Sequence, residues 1–452
     1  FFFKQKTAYE FRLSLVGSEM CIRDRHYMGI KPIIMSRKIK NLCSRVIIIA
    51  CLFASQKIIA QKNFSKDADK AFRCKEFFEA VELYKQAYKH AKTKEAKARI
   101  FFMTAESYRM IGDAKQCETW YSKADKVHYP DPKTILYLAD AKKAQGKYNE
   151  ALVDYTRYAK EVPADDRGKD GMKSCELAED WKENQTRYVV ENMAMINSRE
   201  ADFSPTYASK KYSTLYFTTT REGLTGGKVD GGLGQNFSDI VETKRDKNGK
   251  WSTPVALAEP PNTKDNEGAS FVSRKGTNIY YTRCGVQKNQ QSKCQLYMAI
   301  KRGNTWAEEI KLPFCVDSFN FGHPTLNMKD DFMIFASDMP GGYGGKDLWY
   351  SVYDKKGKAF GKPVNMGGEI NTTGNEMYPF LHEDGSLYYS SDGLLGMGGL
   401  DIFKAEVKGE NKWGKPENLK APINSASDDF AIIFEGKKER GCLLYTSPSP
   451  RD

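Results

Sequence analysis

The chain has 452 residues, 40% of them hydrophobic and 28% charged, with a net charge of +12 and ten cysteines. That length suits two or more domains, and that apolar share belongs to a folded protein rather than a disordered one. Residues 1–25 contribute +2, residues 26–60 contribute +6 without one acidic residue, and 442–452 contribute 0, so the remainder carries only +4. A surplus so small is a solvated surface and argues against nucleic acid as a partner.

Residues 1–25 and 442–452 match none of the repeats described below and resemble translated sequencing-adapter sequence, so both are expected to lie outside the fold. The second interrupts a strand pattern, which places the natural C-terminus beyond it. The natural start is expected at Met35, with Met28 as the alternative. From Met35, Arg37, Lys38, Lys40 and Arg45 precede an apolar run from Val46 to Ala54, and Ile58-Ile59-Ala60 stand before Gln61. This pattern reads as a signal peptide over 35–60. The run is too short to span a bilayer permanently. Ile48-Ile49-Ala50-Cys51 also resembles a lipobox, with Cys51 as the lipidated residue. Either route predicts export, where disulfides form. Cys284 and Cys294 flank a polar loop between two strands and are the candidate pair, two thiols being the alternative. Cys74, Cys117, Cys175 and Cys315 show no metal-ligand spacing.

Residues 61–183 carry helical periodicity. Ala80, Tyr84 and Ala87 fall at i, i+4 and i+7; Cys117, Tyr121 and Ala124 repeat that spacing, as do Ala151, Tyr155 and Tyr158. Gly112 and Gly146 turn the second and third hairpins, Lys75 stands at the corresponding place in the first, and Pro163 stops the third. A last helix, Gly171 to Glu183, caps the stack. The pattern resembles the tetratricopeptide repeat (TPR), and an unrelated helical bundle is the alternative. In such repeats the first helix of each hairpin lines a concave groove for a peptide. The resemblance implies groove positions at Asp69, Phe72 and Arg73, then Phe102, Glu106 and Arg109, then Leu136, Asp140 and Lys143. The alternative is that these residues form the solvated face of each helix.

Residues 196–441 repeat one phrase. Apolar-aromatic strands at Leu215-Tyr216-Phe217, Ile279-Tyr280-Tyr281, Ile334-Phe335 and Leu387-Tyr388-Tyr389 open it, a Gly-rich turn follows, and an Asp begins the next strand. Trp251, Trp306, Phe360 and Trp413 close the units at spacings of 55, 54 and 53 residues. A period of this length made of strands means a β-propeller. Asp239, Asp347 and Asp401 open the strands, with Gln295 in their place in the second unit. Each turn offers one carboxylate plus backbone, short of the six or more oxygens calcium takes, so these Asp read as braces of their turns. A fifth unit starts at INSASDDFAIIF (423–434) and is expected to break off after its first strand. The fold expected is therefore α+β and multidomain: an N-terminal α-helical TPR solenoid followed by an incomplete WD40-like propeller.

HPTLNMKDDFMIFASDMPGGYGGKDLWY (323–350), INTTGNEMYPFLHEDGSLYYSSDGLLGMGGLDIF (370–403) and PINSASDDFAIIF (422–434) resemble the propeller of a family of cell-envelope proteins. These proteins combine a TPR array, a WD40-like propeller and an OmpA-type domain, and include PorE-like components associated with type IX secretion. The resemblance implies a scaffold of the periplasm and outer membrane that binds envelope proteins through groove and propeller face. It implies contact with peptidoglycan only through a C-terminal domain not present in this sequence.

The five histidines form no metal spacing, and no HExxH, GxSxG or phosphate-loop motif occurs. His323, before Pro324, reads as a turn brace. No cofactor, metal or catalytic residue is expected, and the function expected is non-enzymatic. Two alternatives stand beside it: an exported hydrolase whose propeller gates a catalytic domain outside this sequence, and a glycan-binding propeller.

Overall fold

Small and aromatic residues spaced four and three apart build the helical half. The computed structural model describes residues 2–6, 63–225, 229–285 and 293–445; Met28, Met35, the expected signal segment and Cys51 lie outside them. Helices α1 (Phe64–Arg73), α2 (Phe77–His90), α3 (Lys94–Ile111), α4 (Ala114–Lys126), α5 (Lys133–Lys143), α6 (Tyr148–Glu161) and α7 (Arg167–Glu183) each pack on the next. The nine residues of the repeated spacing in α2, α4 and α6 are all buried against neighbouring helices. Thr93 caps α3 by accepting the Ala96 N–H at 3.1 Å, and Asp113 caps α4 by accepting that of Gln116 at 2.9 Å. Gly112 and Gly146 turn the chain at φ of 88° and 72°, and Lys75 makes the same turn at 63°. A side chain there costs about 1–2 kcal/mol that glycine avoids.

Among the described residues the β half has six sheets, five of them in a ring and the sixth a two-stranded pair, Val407–Gly409 with Lys412–Trp413. The innermost strands of the ring are Asp202–Tyr207, Asn266–Val272, Phe321–Leu326, Glu376–Leu381 and Asp429–Phe434, and each packs on the next until the fifth meets the first. The aromatic strands that open the repeated phrase are thus the second strands of blades one to four, and Asp239, Asp347 and Asp401 open the third. In all five inner strands the register slips at one place, and the residue there has positive φ: Ser204, Ala269, His323, Tyr378 and Ala431. An extra residue bends and twists a strand, so the same bulge repeated five times curves every inner strand about the axis. Three of the five bulges continue with proline (Pro205, Pro324, Pro379), which a ladder tolerates at such a break.

The axis is packed. Tyr378 stacks on His323 at 3.8 Å between ring centroids and on Phe430 at 4.5 Å. His323 is therefore not the turn brace expected: it lies on an inner strand, buried, with Nδ1 accepting the Tyr378 N–H at 3.4 Å. Burial, with the Lys346 ammonium nearby, holds it well below its ordinary pKa and hence neutral. The cavity left beside it is about 20 Å³, room for a single water.

A carboxylate latch begins four of the five inner strands. Asp202, Glu267, Glu376 and Asp429 each accept the backbone N–H and the hydroxyl of a Ser or Thr four residues earlier: Ser198, Thr263, Thr372 and Ser425. Asn262, Asn371 and Asn424, each one residue before its latch hydroxyl, clamp both backbone groups of Ile240, Leu348 and Ile402 in the preceding blade. In blade three Phe321 occupies the carboxylate position, two residues before the bulge at His323.

Blade five departs from the expectation that it stops after one strand. Asp429–Phe434 pairs antiparallel with Gly441–Tyr445, Phe2–Lys6 lies parallel to Gly441–Tyr445, and Val190–Asn192 lies parallel to Phe2–Lys4. Residues 2–6 and 442–445, which the sequence sets outside the fold, are thus strands within it. An unpaired strand edge is a template for any extended segment, whatever its origin.

Glu376 gives the latch a pH signature. Burial pushes its carboxyl up to about 7, against the opposing pull of hydrogen bonds from Thr372 and Ser391. The folded chain keeps a proton there that an unfolded glutamate, near about 4.3, has released. This contribution to stability is full below the unfolded value and is lost as pH rises through about 7. Melting temperature should therefore fall between pH 5 and pH 8. Glu376→Gln, which is neutral at every pH and can both accept the Thr372 N–H and donate to a hydroxyl as a protonated carboxyl would, should melt like the parent at pH 5 and decline less by pH 8. Parallel curves for the two proteins would contradict this.

Candidate functional site

The first helix of each hairpin places an acidic residue beside the tyrosine fifteen positions later. Tyr84 donates to Asp69 at 2.7 Å, Tyr121 to Glu106, and Tyr155 to Asp140 at 2.5 Å. Asp69 also takes Arg99 at 2.9 Å, and Glu106 takes Arg109 at 2.8 Å. Three groove candidates, Asp69, Glu106 and Asp140, are therefore braces between the paired helices. Phe102 and Leu136 are buried, Phe102 stacked on Tyr129 at 4.6 Å, while Phe72 packs edge-on against Phe77 and Arg73 is exposed. Arg109, Leu136, Asp140 and Lys143 are brought together along one cleft.

The opposite wall of that cleft is the propeller. In each blade the turn between second and third strands, and the connection to the next blade, lie on one face. The helices sit on that face. At one end, Phe78 N–H reaches the carbonyls of Gly231 and Gly232 at 3.2 Å in the blade-one turn. Its ring covers Gly234, where a Cβ would fall 2.6 Å from it. At the other end, Trp181 and Tyr148 pack with Met397 and Ala421. Thr186 donates its N–H and hydroxyl to the Ala421 carbonyl at 2.8 and 3.0 Å. Between these contacts lies a cleft of about 550 Å³. On the helical side it presents Tyr137, Arg109, Lys143 and Arg167; on the propeller side, Gly374, Asn375, Asp392, Leu394, Leu395 and Gly398.

The strand-opening aspartates shape the propeller wall. Asp401 accepts the N–H groups of Met397 and Gly398 at 3.1 and 3.0 Å, Asp347 that of Tyr343 at 2.7 Å, and Asp239 that of Thr225 at 2.6 Å. Burial pushes the carboxyls of Asp401 and Asp239 up to about 6. In blade two Gln295 donates to the carbonyls of Val316 and Phe319 at 3.3 and 2.9 Å, and beside it Cys284 and Cys294 are joined in a disulfide. Among the described residues no group of His, Cys, Asp and Glu is arranged to hold a metal ion.

The cations of the cleft differ in availability. Arg109 pairs with Glu106 and lies 4.3 Å over the Tyr137 ring, and Arg167 is held by Asp165 at 2.6 Å. Lys143 is half-buried and makes no ion pair among the described residues. Burial holds the Asp140 carboxyl above its ordinary value, Lys143 and the Tyr155 hydroxyl pulling the other way. Sequence reasoning missed the propeller wall altogether, because nothing local links the glycine turns of 393–399 to helices more than 200 residues away.

No family model matches the chain, and no curated protein does. Among solved structures it is similar to an endo-arabinase from Bacteroides thetaiotaomicron, at 13% identity and a TM-score of 0.38, over 56% of this chain and 91% of that one. It is similar to a puromycin-hydrolyzing peptidase from Mycobacterium tuberculosis, at 13% identity and a TM-score of 0.28, over 51% and 39%. It is also similar to the UNC-45 chaperone, at 18% identity and a TM-score of 0.25, over 27% of this chain but only 14% of that one. At this level of likeness, the assignment rests on the chain's own geometry.

Gly171 in α7 tests the brace behind the cleft. A Cβ there would lie 2.4 Å from the Tyr155 ring. Alanine gains about 1 kcal/mol in helix propensity, and displacing a buried ring costs about 1–3 kcal/mol. Gly171→Ala should therefore lower the urea midpoint and weaken the Tyr155–Asp140 bond. A raised midpoint would mean that the ring gives way freely.

Proposed function

We propose that the chain is a non-enzymatic, exported scaffold of the cell envelope, in which helices and propeller together grip an extended peptide segment of a partner protein. The observation that carries this reading is the composition of the cleft. One wall offers the Tyr137 ring and the cations Arg109, Lys143 and Arg167 beside Asp140 and Asp170, the other a glycine-rich surface at Gly374, Gly393, Gly398 and Gly399. A segment lying there would rest flat on the glycine turns, whose N–H groups at Gly374, Gly393 and Gly398 are already taken by Thr372, Ser391 and Asp401, and would find its polar partners on the helical side. The fifteen-residue Tyr–acid brace recurring in three hairpins supports reading the helices as a TPR solenoid, and the five-fold bulge supports a WD40-like ring. Residence in the periplasm at the outer membrane, and a link to peptidoglycan through a further domain, belong to this proposal as what the family resemblance implies.

Lys143 is the clean probe, since Arg109 is engaged inside the helical wall. A photo-crosslinking residue at Leu395, on the facing wall, should capture an envelope protein in cells. Lys143→Ala should weaken binding of the captured segment about tenfold, near 1.4 kcal/mol, with melting shifted by less than about 0.5 kcal/mol. A folded protein that crosslinks nothing at Leu395, or binds equally well without Lys143, would refute the cleft as the site.

A further inference from the structure

On the face away from the helices, the first turns of all five blades converge on the axis and are tied together there. Tyr212 of blade one donates to Glu383 of blade four at 2.9 Å. Arg274 of blade two pairs with the same carboxylate at 3.2 Å, and its backbone N–H reaches Asp330 of blade three at 2.9 Å. His382 contacts the Gly436 carbonyl of blade five at 3.0 Å. Beside this knot opens a second cavity of about 330 Å³, within the range of about 300–1,000 Å³ in which ligand pockets fall.

Its lining is lopsided in charge. Glu383 is the one carboxylate, already engaged by Tyr212 and Arg274. Lys210, Lys275 and Lys301 surround it, all exposed and none in an ion pair among the described residues. Phe271, Phe380 and Met328 supply apolar surface beside them, and Met328 stands 40% exposed. Three uncompensated ammonium groups around a cavity with an apolar wall raise the local concentration of anions. Lysines on flexible stems are point charges, so three of them can each meet a separate carboxylate along a chain without imposing one bidentate geometry. We infer that this axial mouth binds an acidic peptide segment, its carboxylates spread over Lys210, Lys275 and Lys301 and an apolar side chain seated against Phe271, Phe380 and Met328. The site is separate from the helix–propeller cleft and would give the protein a second, oppositely directed contact.

The test uses fluorescence anisotropy of the full chain with a labelled octapeptide of Glu and Asp around a single central Phe. Binding should be detectable in the micromolar range at 50 mM salt and should weaken at 200 mM. It should fall at least thirtyfold in the combined Lys210→Glu, Lys275→Glu, Lys301→Glu variant, and at least fivefold when Ala replaces the Phe of the peptide. Lys143→Ala, in the cleft, should leave it unchanged, which separates failure here from failure of the proposed cleft. Single Lys→Gln variants serve if the triple variant does not fold, each with a severalfold loss. No binding, binding indifferent to the lysines, or capture of anionic vesicles in place of the peptide would overturn the inference.

Discussion

The propeller is assembled around buried carboxylates that accept hydrogen bonds from the chain just before them. Asp202, Glu267, Glu376 and Asp429 sit where each inner strand begins, and each fixes the loop that arrives from the preceding blade. Burying a carboxylate is unfavourable unless its oxygens are satisfied. Glu267 has Arg283 at 2.7 Å as well, whereas among the described residues Glu376 has hydroxyl and amide donors alone. The latch orients the loops, the loops form the face on which the helices sit, and the cleft inherits its shape from both.

The helical half repeats this logic with a different donor. A tyrosine hydroxyl crosses to an acid fifteen residues earlier, so each pair of helices shares this polar bond inside a largely apolar seam, joined in the third pair by Lys142 on Asp154 at 2.8 Å. The seam was legible because Ala, Cys and Tyr at i, i+4 and i+7 leave a periodic trace. The brace was not, because a bond between two helices depends on how they pack and leaves no local spacing. Asp69, Glu106 and Asp140 therefore read as groove residues, when their carboxylates are turned to the neighbouring helix.

Much of the propeller was legible for the same reason and misplaced in one respect. Alternating aromatics announced strands, and the Gly-rich turns followed by Asp announced tight turns whose amides need an acceptor. The inner strands, though, are broken by a bulge, so their alternation is weaker, and the clearer second strands stood in for the start of each unit. His323 was misread because a His before Pro looks like a turn, and only the ring shows five such positions meeting on one axis. Blade five was obscured because its third and fourth strands come from residues far away in the sequence.

The segment joining the two halves is fastened at successive points. Thr186 holds Ala421, Val190–Asn192 forms the outer edge of blade five, and Ser198 engages the first latch at Asp202. With Phe78 seated at blade one as well, the joint is held at both ends of the helical stack. A mechanical load that pulled helices and ring apart would have to shear these fastenings together rather than peel them in turn. Such a joint carries force and direction with little slack, much as a bracket does and a hinge does not.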